Sequence, residues 1–353
     1  MPPIRVFTPS FADEGNTNAQ NLTVKEIVTR LSPEQFHVTM VAQDTPDARI
    51  AARQNTKLLR YGRHGNTVRL LAAVASLRPD VYFYPRHGPM DASFVWWRRQ
   101  LGLRCAVVTH IVMMMNAATA VPAWERIVRE SDALYGNSRY VTETIREYFH
   151  LPAETIHNGV DSRWFHPAES YGSDAGVRAL YAGSFQERKR VQLLIREAAR
   201  LPGVEFRLAG TGEEEGPCRR LAAELGCKNV VFLGHLNPAK LGEEMRSADI
   251  FLFASILEGH PQVLGQAAAC GLPALAMNLY RPDYVVDGET GFLAESDADF
   301  VAKLDLLVRN RELRGTMSGA AVRHAGQFSW DRIAARWAEV LELAVQRKRR
   351  RVR

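Results

Sequence analysis

Cysteine is scarce in this chain, and long apolar runs are missing from it. Its 353 residues include only Cys105, Cys218, Cys227 and Cys270, none in Cys-x-x-Cys spacing. That argues against a disulfide framework or a zinc site and for reduced, buried thiols. No apolar run reaches the roughly eighteen residues a membrane-crossing helix needs. The longest candidate, Ala106 to Val121, is interrupted by His110 and Asn116. The opening Met1-Pro-Pro-Ile-Arg-Val-Phe-Thr-Pro-Ser lacks the charged start and apolar block of a secretory leader, so a cytoplasmic location is expected. There is no short fixed-period repeat, which disfavours a solenoid. No P-loop or Ser/His/Asp arrangement is legible either.

Net charge is also absent from the body of the chain. The net charge is +6, but Arg347, Lys348, Arg349, Arg350, Arg351 and Arg353 supply six of the 45 basic residues, leaving 39 against 39 acidic ones. Nucleic acid is not expected as a partner, because no stacking aromatics interleave with these arginines. A basic segment after an amphipathic helix, Trp330 to Gln346, suits an anionic membrane surface; the alternative is a solvated, frayed end.

What is present is alternation. Short β-branched or aromatic runs such as Ile4–Pro9, Cys105–His110, Arg178–Gly183 and Ile250–Ala254 alternate with helical patterns such as Asn18–Leu31, Val191–Arg200 and Gln262–Cys270. This predicts α/β architecture with parallel sheets covered on both faces. The alternation pauses at His157-Asn-Gly-Val-Asp-Ser-Arg-Trp-Phe-His-Pro167 and the polar residues 168–176, where a domain boundary is expected.

Three strand-to-helix junctions carry chemistry. In the stretch from Ser255 to Pro273, Glu258 leads through Gly259-His260-Pro261 into a helix of small apolar residues, placing an acid beside free backbone amides. Arg188 and Lys189 precede a second helix, where two cations at a positive helix start call for an anion such as a diphosphate; a solvated basic loop is the alternative. Gly210, Gly212 and Gly216 follow a strand one residue out of step with the dinucleotide fingerprint. Glu213, Glu214 and Glu215 beside them would repel a pyrophosphate, so NAD is not expected. Asp297-Ala-Asp299 opens a helix, where aspartates cap amides, and no metal is assigned to it.

These residues closely resemble the retaining glycosyltransferases of GT-B architecture, family 4. That family's nucleotide-sugar signature has two glutamates separated by seven residues; here Glu258 takes the first position and Gln266 replaces the second glutamate. The residues Asn158-Gly-Val-Asp to Phe165-His-Pro167 resemble the family's inter-domain linker, and Gly183 to Lys189 resembles its Gly-Arg-x-x-x-x-Lys junction, with Ser184 in the arginine's place. The resemblance implies a GT-B fold: two Rossmann-like domains facing each other across a cleft, with a C-terminal helix crossing back to the first. It places an acceptor domain at residues 1–160, a nucleotide-sugar donor domain at 161–326, and the returning helix with its basic tail at 327–353.

It further implies transfer of a sugar from a nucleoside-diphosphate sugar, as co-substrate, to a hydroxyl acceptor such as a glycan, lipid-linked glycan or small molecule. Retention at the anomeric carbon follows, with neither cofactor nor metal. Catalytic roles fall to Glu258, Lys189, Arg188 and, at a strand end in the first domain, His110. Donor contacts fall to Gly183, Ser184, Gly210, Gly212, Gly259, His260, Pro261, Gln262, Val263, Leu264 and Gln266, and weaker acceptor contacts to Gly15, Asn16 and Arg139. Gln266 accepts a ribose hydroxyl less strongly than a carboxylate would. Other readings are a non-catalytic nucleotide- or sugar-binding protein and a nucleotide-sugar epimerase. The expected location is cytoplasmic, peripheral at the inner face of the membrane.

Overall fold

The computed structural model describes residues 2–15, 18–60, 67–85, 88–169 and 176–350, so Asn16 and the last three residues of the basic segment lie outside them. The chain divides into two compact units, Met1–Asn158 with Trp330–Arg353, and Gly159–Ser329.

The first unit runs β1 (Ile4–Phe11), α1 (Ala19–Val28), β2 (Phe36–Ala42), α2 (Ala48–Ala52), β3 (Thr56–Arg60), α3 (Thr67–Leu77), β4 (Val81–Phe83), α4 (Pro89–Gln100), β5 (Ala106–Ile111), α5 (Pro122–Glu130), β6 (Ala133–Gly136), α6 (Arg139–Phe149) and β7 (Glu154–Thr155). Its strands pair in the order β3-β2-β1-β4-β5-β6-β7, every pairing parallel. Side chains alternate across a strand, so each face gathers its own core. Val6, Val38, Val81 and Val108 point to one face, and Phe7, Tyr82 and Val107 to the other. All of β5 is buried, which is why its sequence reads as a continuous apolar run rather than an alternation.

The second unit runs β8 (Val177–Ala182), a 3-10 turn at Glu187–Lys189, α7 (Val191–Arg200), β9 (Val204–Ala209), α8 (Glu215–Glu224), β10 (Val230–Gly234), α9 (Pro238–Ser247), β11 (Ile250–Phe253), α10 (Gln262–Ala269), β12 (Ala274–Met277), β13 (Gly291–Ala294), α11 (Asp297–Arg309) and α12 (Arg311–Ala325). Its sheet is also parallel, in the order β10-β9-β8-β11-β12-β13. Helix starts follow the capping chemistry of the sequence: Asn18, Ser138, Asn237 and Ser296 each accept a backbone N–H from the first turn with their side chains. Asp299 accepts from the Glu295 N–H and from Lys303 Nζ, while Asp297 pairs with Arg190.

The last helix, α13 (Trp330–Arg350), belongs to the first unit. Its Trp337 is fully buried, edge-on to Phe83, His110 and Tyr135 at ring distances of 5.1, 5.1 and 5.3 Å. Arg30 Nε to Asp331 Oδ1 at 2.7 Å ties it to α1, and Lys348 Nζ to Asp132 Oδ1 at 2.9 Å fastens its far end. This corrects the picture of a frayed basic end. The helix continues to Arg350, and acidic residues far away in sequence hold its last turns.

Helices α4 and α5 and strands β3 and β13 escape a reading based on periodicity. Both helices start with proline in the first turn, and α4 turns Trp96 and Trp97 outward, which scrambles its apolar stripe.

Candidate active site

The second unit gathers its polar loops at the carboxyl ends of β8, β9 and β11, where an open parallel sheet leaves room for a ligand. The loop after β8 and the loop after β9 pack backbone to backbone. Phe185 N–H donates to Thr211 O at 2.9 Å, Glu214 N–H donates to Phe185 O at 3.0 Å, and Gly183 N–H donates to Ala209 O at 3.0 Å. A Cβ at Gly210, whose φ is +136°, would lie 1.8 Å from Gly183 O, so only glycine permits this approach. Gly212 serves the same contact, since a Cβ there would meet Phe185 O at 2.3 Å.

The 3-10 turn then turns Lys189 inward and leaves Arg188 half exposed. Both reach Glu258: Lys189 Nζ lies 2.5 Å and Arg188 Nη1 2.8 Å from the same oxygen, Oε1. Ser255 Oγ donates to that oxygen as well, at 2.6 Å. Arg188 also donates to Leu257 O at 2.8 Å, and Lys189 Nζ stands 4.8 Å from the centre of the Phe253 ring. Burial pulls the Lys189 ammonium below its ordinary value, and Glu258 opposes that shift. The anion that this pair of cations requires is therefore supplied first by the protein itself. One carboxylate against two cations leaves the cluster with a net positive charge, and no described hydrogen bond uses Oε2 of Glu258.

A cavity of about 440 Å³ opens beside this cluster. Its wall includes Gly183, Ser184, Lys189, Gly210, Glu258, Pro261, Gln262, Val263 and Gln266, nine residues that the sequence singles out. Gln262 and Val263 open α10, so their amides precede its first hydrogen bond. Gln262 Nε2 is buried without a partner among the described residues. Sequence reasoning missed Thr211, His235, Leu236, Leu241 and Phe253 in the wall, and Ser255 behind it. The strand-end rule finds His235, which directly follows β10; Leu241 enters only through packing of α9.

Other expected site residues fall elsewhere. Leu264 is fully buried and its N–H donates to Pro261 O at 3.0 Å, so its amide is spent within the helix. His260 is buried and stacks on Tyr284 at 4.0 Å, and Gly259 and Gly212 lie outside the cavity wall. In the first unit, Gly15 and Arg139 are exposed. His110 is a correction: its ring is fully buried between Tyr84 and Trp337, with Nε2 bonded to Ile156 O at 2.9 Å, and burial pushes its pKa down to about 3. It is a neutral core residue, not a group offered to a sugar. Tertiary packing by a helix far away in sequence decides this, and a Thr-His strand end does not reveal it.

The two sheets match those of the Anabaena HepE structure solved with UDP, at a TM-score of 0.79 and 17% identity over 96% of this chain and 99% of that one. The architecture is GT-B, and the class is the glycosyltransferases. The family model "Glycosyl transferases group 1" matches residues 168–324, and "Glycosyltransferase Family 4" matches residues 20–164. The D-inositol 3-phosphate glycosyltransferase of Geodermatophilus obscurus is 29% identical over 78% of this chain and 72% of its own length. That of Thermobispora bispora is 27% identical over 96% of this chain and 92% of its own. The chain belongs to the group 1, family 4 glycosyltransferases.

Proposed function

We propose that this chain transfers a sugar to a hydroxyl acceptor with retention at the anomeric carbon, and that its charge stabilisation comes from protein groups rather than a resident metal. The observation that carries this reading is the convergence of Lys189, Arg188 and Ser255 on one oxygen of Glu258, which leaves Oε2 for sugar hydroxyls. As the bond from the anomeric carbon to the phosphate oxygen breaks, negative charge grows on the diphosphate. Lys189, Arg188 and the first amides of α10 supply fixed positive charge where it develops. The acceptor oxygen bonds to the anomeric carbon on the face that the phosphate leaves, and its proton passes to the departing phosphate.

Gln266 half-buries its amide in the cavity wall, where it accepts a ribose hydroxyl more weakly than a carboxylate. The acceptor carries a hydroxyl: the relatives' name, D-inositol 3-phosphate glycosyltransferase, favours a small molecule, and the basic end of α13 favours a lipid-linked glycan. The location proposed is cytoplasmic, peripheral at the inner face of the membrane.

Calorimetry with UDP, GDP and ADP, combined with a turnover screen of their sugar conjugates, tests the reading. Glu258→Gln keeps an acceptor for the two cations but weakens the grip on the sugar. It should lower kcat/KM by about 10³-fold, close to 4 kcal/mol, while nucleotide affinity changes only a few-fold. A variant as active as the wild type defeats the assignment. Nucleotide binding with no donor turned over makes the chain a binding protein, and product without any acceptor makes it an epimerase.

A further inference from the structure

The first unit has its large cavity at the opposite end of its sheet. The order β1, β4, β5 puts three strand starts side by side, and with α13 they enclose about 550 Å³. Arg5, Arg78, Arg104 and Arg349 line it, against the single carboxylate of Asp80. That carboxylate is engaged, since Oδ2 accepts from the Arg5 amide at 3.0 Å and from Arg5 Nε at 3.2 Å, and Arg349 stands 3.8 Å from Oδ1. Arg78 and Arg104 are exposed, and neither has an ion-pair partner among the described residues. Four cations against one anion leave an unanswered charge of three in a concave site, which is the chemistry of a phosphate receptor.

The wall of this cavity continues into an apolar edge. Gly102 and Leu103 line it, and the residues just before them are the last turn of α4, with Trp96 49%, Trp97 47% and Leu101 56% exposed. Leu101 N–H donates to Trp97 O at 2.9 Å, which closes the helix end on the side where both rings are exposed. Two exposed tryptophans a short way before Arg104 in the chain add to the arginines the second group that favours a lipid interface, amphipathic rings at headgroup depth beside cations for the phosphates.

We propose that this end of the first unit docks on an anionic phospholipid bilayer, with Trp96, Trp97 and Leu101 entering the interface and Arg78 and Arg104 taking headgroup phosphates. This goes beyond a basic C-terminal segment. It rests on the peripheral-membrane part of the proposed function, and names a folded surface that works whether or not the donor chemistry does. The surface lies at the amino ends of the strands, so bound lipid leaves the loops at their carboxyl ends open.

Flotation of the full chain with vesicles of phosphatidylcholine alone, or with roughly 30 mol% phosphatidylglycerol, tests it. Binding should be about tenfold stronger to the anionic vesicles and fall as salt rises from about 0.15 to 0.5 M. Arg78→Glu with Arg104→Glu should lower it about tenfold, and so should Trp96→Ser with Trp97→Ser. Tryptophan emission should shift to the blue on binding, by less in Trp96→Phe with Trp97→Phe. Nucleotide calorimetry on each variant reports on the second unit separately, and circular dichroism with thermal melting confirms that the first unit is folded. Equal flotation of wild type and both variants overturns the proposal, as does loss of binding only when residues 351–353 are removed. Binding of free inorganic phosphate that Arg78→Glu abolishes, with no vesicle binding, makes this a soluble-anion site and also overturns it.

Discussion

The two units share one kind of sheet and use its ends differently. In the second, the carboxyl ends of β8, β9 and β11 open onto a glycine-walled cavity with a charged cluster. In the first, the end of β5 is closed by rings, with His110 held between Tyr84 and Trp337, and the large cavity lies at the strand starts instead. A parallel sheet offers a ligand site at its carboxyl end, but whether the site is open depends on what covers it. Glycines that bring Gly210 against Gly183 leave space beside them, whereas a returning tryptophan fills it.

The strongest way to break this contrast is to unplug the first unit. Trp337→Ala should remove about 3–5 kcal/mol from that unit's stability, seen by calorimetry as a lowered transition for it alone. Both transitions staying in place would mean that the ring is not a core element. Acid acts on the same spot with a smaller effect. Burial pushes the His110 pKa down to about 3 in the folded chain, against its ordinary 6.5 when unfolded, so below about pH 6.5 the unfolded chain takes up the extra proton. Stability of the first unit is therefore full above that pH and lost as pH falls, by about 2 kcal/mol between pH 7 and pH 5. His110→Phe should flatten this slope in thermal melts at the two pH values; an unchanged slope would assign it to other groups. The smallest effect sharpens the other side. Gln266→Glu should tighten nucleotide binding about fivefold, near 1 kcal/mol, because a carboxylate accepts hydroxyl hydrogen bonds more strongly. Unchanged affinity would place Gln266 outside the ribose contact.

What the sequence made legible follows the same division. Glu258, Lys189, Gly183 and Gly210 each sit within a few residues of a strand end, and a strand, a turn and a helix start can be read locally. Ser255 and Phe253 lie close by but carry no turn or charge signal, so they emerged only with the geometry. His110 could not be placed from its neighbours, because the ring that buries it arrives with α13. The frayed-end alternative for the basic segment fails for a similar reason, since Asp132 and Asp80 stand beside Lys348 and Arg349 from far away in the sequence. The edge strands β3 and β13 were hidden by their shortness and partial exposure, which weaken the apolar signal.

The path of the chain through its two units has a consequence for biosynthesis. The second unit is a single uninterrupted stretch, Gly159–Ser329, while the first is closed only by Trp330–Arg353. A ribosome delivers residues in order, so the second unit has its whole sequence in hand while the unit begun earlier still lacks Trp337. During that interval the rings of Phe83, Tyr135 and His110 lack their cover, and the half-made protein is exposed to aggregation at its amino-terminal half. Synthesis from the amino terminus thus completes these two units in the reverse order, because α13 is made after both and closes the one begun earlier.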